Sequence, residues 1–325
     1  MIEPDASRSV SRTDHFADLD GLRGLLAFAV VLLHLGFNSF TARTFGWAGF
    51  RFALAVDVFF ILSGFVLTGA LQRPTTLKAF AIKRVLRLAP VFYVSTLVTV
   101  IALNEWPGPL EAFMAQPFSG HDPLNFPAWS ICWEFYLPLA AIAFPVKPPA
   151  VLVRPLLAGA IILLGIADWV EETGTSVYFL RACLGLATGH LLHRSELALR
   201  MPLELPTAAI FAVMALAALN PAFALLLPPV AIAAVLAGRA GGSLLGVRPI
   251  QFLGTISYSL YLIHIPLLYT AQAQFSNVDR NAVVKLVLLM ASVAGATLIT
   301  YLIERPCMRL GARLARQAAR HPTLG

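Results

Sequence analysis

The chain has 325 residues, of which 58% are hydrophobic and only 13% charged, with a mean hydropathy of +0.76. That charged fraction is about half the value of a soluble globular domain, which excludes one and predicts an all-α fold, a polytopic membrane helix bundle. The net charge of +7 is then read by location. Basic residues gather in cytoplasmic loops, so no nucleic-acid partner is implied.

Residues 1–18 form a polar tail without an apolar h-region, so no cleaved signal peptide is expected and the tail is placed in the cytoplasm. Apolar runs follow at about 20–39, 52–71, 88–104, 129–146, 151–167, 177–192, 207–219, 222–237, 250–270 and 283–303, which predicts about ten transmembrane helices. Asn220-Pro221 marks either a turn or a kink between the two shortest runs. With both termini cytoplasmic, 19 of the 24 Lys and Arg residues fall inside. Arg43, Arg51, Arg280 and Lys285 fall outside, and Arg181 lies within a span. That asymmetry supports the orientation. The membrane domain therefore runs over 19–306, and 307–325 is a basic cytoplasmic tail. Cys132, Cys183 and Cys307 show no paired spacing, so neither a disulfide framework nor a metal site is predicted.

Five stretches carry chemistry. In LDGLRGLLAFAVVLLHLG, Arg23 and His34 are eleven residues apart, about 16 Å along a helix and close to three whole turns. Both project from one face, either as two stations on a path or as an arginine snorkelling to the headgroups and a histidine bonded to a neighbouring helix. The second span, RFALAVDVFFILSGFVL, brings Asp57, either a functional carboxylate or the structural partner of an outer-loop arginine, with Ser63-Gly64 suited to close packing. In IKRVLRLAP, Lys83, Arg84 and Arg87 stand at the inner end of span three, as a phosphate site or as plain positive-inside anchors. Pro90 would kink or start that helix. PAWSICWEFYLPL holds Glu134 about 8 Å beyond Trp129, and GTISYSLYLIHIPLL holds Ser257, Tyr258, Tyr261 and His264. Gly185 and Gly189 suit helix packing. Counted by depth, His34, Asp57, Glu134, Arg181 and His264 share a slab in the outer half of the membrane, while Arg23, Lys83, Arg84 and Arg87 share one at the inner face.

LDGLRG with His34, VDVFFILSGF, KRVLRLAP, WSICWEFY, SYSLYLIH and the terminal IERP, six motifs in order from Leu19 to Pro306, resemble the acyltransferase-3 family of integral membrane acyltransferases. The resemblance implies transfer of an acyl group, commonly acetyl, from cytoplasmic acetyl-CoA to extracytoplasmic glycans or small glycosides. It also implies a multi-pass protein of the bacterial inner membrane. Acyl-CoA is then a co-substrate, no cofactor is tightly bound, and the partners are the donor, an envelope glycan or glycoside, and membrane lipids. Arg23 and His34 match the family's Arg-x10-His pair, Arg84 and Arg87 its basic pair, and Glu134 its acid, while Lys83 and Ala89 depart modestly from it. The extracytoplasmic hydrolase-like domain that some members carry is not expected in these 325 residues.

The chemistry fits from below. Inner cations suit the nucleotide phosphates, and a neutral His suits proton removal from a hydroxyl near pH 7. The expected set is His34, Glu134 and Asp57 for catalysis, with either carboxylate orienting the imidazole, and Arg23, Arg84, Arg87 and Lys83 for acyl-CoA. His264, Arg181, Ser63 and Tyr258 would support the site or the acceptor. An acetyl-histidine is a minor route. The rival reading is a transporter or flippase for a polar or acylated substrate. The His15-x4-Asp20 spacing, lying before span one, is set aside.

Overall fold

The computed structural model describes residues 17–37, 51–72, 75–115, 118, 123–143, 148–170, 175–195, 197, 199–238, 243–275, 278 and 281–320. Among them all regular structure is helical. Helices fall on each apolar run: α1 (Ala17–His34), α2 (Ala55–Leu71), α3 (Leu77–Leu103), α4 (Trp129–Ala143) and α5 (Ala150–Val170). They continue with α6 (Thr175–Arg194), α7 (Glu204–Leu219), α8 (Leu227–Gly238), α9 (Arg248–Gln274) and α10 (Ala282–Ile299). Through a π-helical turn at Thr300–Glu304, α10 runs on into α11 (Arg305–Arg320). Five stretches, 77–103, 150–170, 221–238, 248–274 and 282–319, are long and apolar enough to cross a membrane. The chain is a membrane protein on that ground, and exposed aliphatic residues such as Ile101, Val151, Ile162, Met290 and Leu302 cover its outward faces.

Helix ends follow local chemistry. The third helix starts eleven residues before the expected 88, because Thr76 caps it by accepting from the Ala79 amide at 3.2 Å. The KRVLR stretch is therefore helical, and Pro90 sits inside the helix. Asn220-Pro221 is a turn, where the Asn220 side chain accepts from the Ala222 amide at 3.0 Å and starts the 3-10 segment leading into α8. The stretch expected as a tail from 307 is helical to Arg320. Of the four outside cations, Arg43 and Arg280 lie outside the described residues. Lys285 is buried instead of lying in a loop, and its Nζ donates to the Gly36 carbonyl at 2.7 Å. A cation there meets the orphan carbonyls at the end of α1.

Two helix pairs touch through glycines. A Cβ on Gly24 would meet the backbone of Leu253 and Gly254, and one on Gly254 the carbonyl of Asp20, so α1 and α9 approach backbone to backbone. Gly64, Gly185 and Gly189 do the same for α2 and α6 against Leu186, Phe60 and Ile61. Arg23 reaches Ser257 near the start of α9, and His34 reaches His264 further along, so α1 and α9 run parallel.

Candidate active site

The α1–α9 seam carries both stations. At its lower end the Arg23 Nε donates to Ser257 Oγ (3.1 Å) and its Nη2 to the Gly254 carbonyl (3.4 Å), with Asp20 paired to it at 2.9 Å. Gly24 and Gly254 make this possible, since any larger residue would hold the backbones apart. Eleven residues on, the His34 and His264 rings stack at 5.1 Å, with His34 Nδ1 2.9 Å from His264 Nε2.

That contact settles the tautomers. His264 Nδ1 lies 3.1 Å from the Leu260 carbonyl, which can only accept, so Nδ1 carries the proton. His264 Nε2 is then a lone pair and accepts from His34 Nδ1–H. His34 Nε2 is left with a lone pair of its own, the state a proton acceptor needs. The edge of Phe126 packs against the His34 ring at a centroid distance of 6.1 Å.

Around Arg23 a mixed-charge cluster forms. Arg87, Glu134 and Glu304 lie within Coulombic reach of it, and Arg84 is in reach of Glu134, Arg87 and Tyr258. The Arg84 Nη2 donates to the backbone carbonyl of Glu134. That carbonyl is free because Pro138, four residues on, has no N–H to give it. Arg84 Nε has no hydrogen-bond partner among the described residues, which leaves a buried donor for a ligand. The Glu134 carboxylate accepts from Ser63 Oγ at 2.5 Å, and Tyr258 donates to the Leu88 carbonyl at 2.7 Å.

Several expectations are corrected. Glu134 does not share a slab with Asp57; it joins Arg23 and Arg84, the cations expected at the opposite face. The reason is the connection into α4. Asn125 is fully buried and donates to Ser95 Oγ (3.1 Å) and to the Leu262 carbonyl (2.9 Å), itself freed by Pro266. Ser95 lies about 12 Å and Leu262 about 18 Å short of the C-terminal ends of their helices. The chain therefore re-enters the bundle, and α4 starts at mid-depth. Glu111 pins the loop, its carboxylate accepting from the Leu124 amide at 3.1 Å. Burial pushes that carboxyl up from its ordinary value, opposed by the amides of Leu124 and Asn125.

Asp57 is also not beside His34. It is fully buried in a two-pronged pair with Arg181, whose Nε reaches Oδ1 at 2.9 Å. Asp168 of α5 lies 3.6 Å from the same Nε, and Arg51 acts on it from nearby. Two acids and two bases thus tie α2, α5 and α6, and the main partner of Asp57 is an arginine within a helix, where the sequence reading had offered one from an outer loop. Neither carboxylate orients His34; a second histidine does. Lys83 is exposed on α3 while Arg84 and Arg87 turn inward, so it is not brought to the cluster. Ser63 contacts Glu134, a role beyond packing, and Tyr258 and His264 belong to the seam.

Sequence reasoning missed Glu304, Asp168 and Asn125 as contact makers, whereas Ser257, singled out in the ninth span, does bond across to another helix. Glu304 was visible within IERP, but its inward turn comes from the π-helical segment: it accepts from Ser259 Oγ at 2.8 Å. Among the described residues no His, Cys, Asp and Glu group could hold a metal ion.

The chain is matched over residues 16–305 by a family model described as an acyltransferase domain. The chain belongs to the acyltransferase-3 family. Among curated proteins it is similar to the peptidoglycan O-acetyltransferase OatA of Listeria monocytogenes, 39% identical over 89 residues, which are 26% of this chain and 13% of that protein. It is also similar to the putative peptidoglycan O-acetyltransferase YrhL of Bacillus subtilis, 34% identical over 99 residues, 28% of this chain and 14% of that one. The matched stretches are thus a small part of the length of these relatives. No solved structure matches the chain.

Proposed function

We propose that the protein is a multi-pass O-acyltransferase of a bacterial inner membrane, with ten crossings and both termini cytoplasmic. It moves an acyl group, acetyl by preference, from cytoplasmic acyl-CoA to a hydroxyl of an extracytoplasmic glycan or glycoside. The observation that supports this most is the α1–α9 seam, with guanidinium groups at one end and a histidine of fixed tautomer about 16 Å further on. Seven crossings between α1 and α9 would return α9 parallel to α1, as observed. The names of the two relatives favour acetyl as the group and peptidoglycan as the kind of acceptor.

Three guanidinium groups, Arg23, Arg84 and Arg87, stand with three carboxylates, Asp20, Glu134 and Glu304. The acids hold the cations in place until donor phosphates take them over, and Arg84 Nε is a free donor for one phosphate oxygen. The pantetheine arm then lies along the seam and brings the thioester to His34. His34 Nε2 takes the acceptor's hydroxyl proton as its oxygen attacks the thioester carbon. The C–S bond breaks, and the proton passes to the departing thiolate. While the imidazolium lasts, its Nδ1–H still donates to His264 Nε2.

The test presents radiolabelled acetyl-CoA to the outside of inverted vesicles and follows label into glycan or released acetate. Transfer that depends on both Arg23 and His34 is expected. Transport of a polar solute with no acyl transfer would replace this reading with the transporter.

A further inference from the structure

The helix α11 carries Arg305, Arg309, Arg313, Arg316 and Arg320 and no acidic residue. Steps of four, four, three and four residues put all five on one face. The opposite face holds the buried Gly311 and Ala315, and Gly311 sits against Leu86 of α3. The arginine face is turned away from the bundle, and Arg309, Arg313 and Arg316 are exposed.

This face continues the outward face of α10, where Val283, Val287, Met290 and Leu298 are exposed. An unbroken α-helix would carry the arginines roughly a quarter turn away from that line. The π-helical turn at Thr300–Glu304 takes up one extra residue, about 100° of phase, and returns them to it. Arg305 shows the continuity directly, its guanidinium lying 4.4 Å from the ring centroid of the exposed Tyr301. One helix face thus changes from aliphatic to guanidinium between Leu302 and Arg305. Exposed Leu310 and Leu314 flank the arginines. Aliphatic surface for acyl chains followed by cations is the order a lipid presents, tail and then phosphate.

We propose that the arginine face of α11 is a binding surface for anionic phospholipid headgroups, in the leaflet at the α11 end of the bundle. That this leaflet is the cytoplasmic one rests on the topology proposed above; the lipid contact does not.

The experiment titrates the purified full-length chain in neutral detergent with phosphatidylglycerol or phosphatidylcholine and counts bound lipid by native mass spectrometry. Phosphatidylglycerol should bind in preference, and more weakly as salt is raised. A juxtamembrane arginine contributes about fivefold in affinity, so R309Q/R313Q/R316Q should lose about two orders of magnitude. The corresponding triple lysine variant should stay within a few fold. Equal binding of both lipids, full binding by the glutamine triple, or binding indifferent to salt overturns the proposal. Displacement of phosphatidylglycerol by excess free CoA also overturns it, because the face would then read the donor's phosphates. If the glutamine triple loses its helix content, the wild-type salt and CoA titrations decide alone.

Discussion

Replacing His264 with alanine removes the acceptor that His34 Nδ1–H meets at 2.9 Å. In apolar surroundings an unpaired polar N–H costs about 1–3 kcal/mol. The His34 ring would relieve that cost by turning or changing tautomer, and the lone pair at Nε2 would no longer be held toward the seam. At about 1.4 kcal/mol per tenfold in rate, acyl transfer should fall roughly 5- to 150-fold. His264→Gln supplies an amide oxygen of similar reach and should recover most of the loss. The assay is the initial rate of label transfer from acetyl-CoA in inverted vesicles, over a range of donor concentration and pH. The alanine variant should lower kcat with little change in KM and move the acid limb of the pH–rate profile, while the glutamine variant should do neither. A purely structural role would reduce the amount of folded protein and leave the profile in place. An alanine variant with wild-type kcat and profile would refute the tautomer argument.

The remaining predictions test neighbouring links. His34→Gln should fold, bind acetyl-CoA, and lose about 10²–10⁴ in transfer rate, since an amide cannot accept the proton; near-normal transfer would remove His34 from the chemistry. Arg84→Ala with Arg87→Ala should weaken donor binding measured by equilibrium dialysis, with the deficit shrinking at high salt; unchanged affinity would return both to membrane anchoring. Pro138→Ala gives α4 an N–H for the Glu134 carbonyl, which competes with Arg84. Donor KM should rise in that variant even as the helix gains stability, and a stabler enzyme with unchanged KM would sever the link. Trp106→Cys, at an 86% exposed position, should label from outside, and Gln317→Cys only from inside, each above the background of the native thiols; outside labelling at 317 would end the ten-crossing topology.

Period and composition were enough for the helices. Apolar runs of near-bilayer length cannot leave backbone groups unpaired in lipid, so the sequence alone demanded helices at those places. The shared face of Arg23 and His34 was equally legible, because a 3.6-residue period determines which side chains line up within one helix. Contacts between helices were not. Depth counted from span ends put Glu134 beside Asp57, but the count assumed that α4 starts at the surface. Asn125, bonded to Ser95 and to the carbonyl that Pro266 frees, draws the chain inward and lowers Glu134 to the level of Arg84. The partner of His34 was likewise hidden, since a carboxylate and a second imidazole satisfy the same Nδ1–H. Only the glycine contact between α1 and α9 sets the register that selects His264. Local sequence determines what each helix offers; which offers meet depends on packing between segments more than two hundred residues apart, and that is set by the whole chain at once.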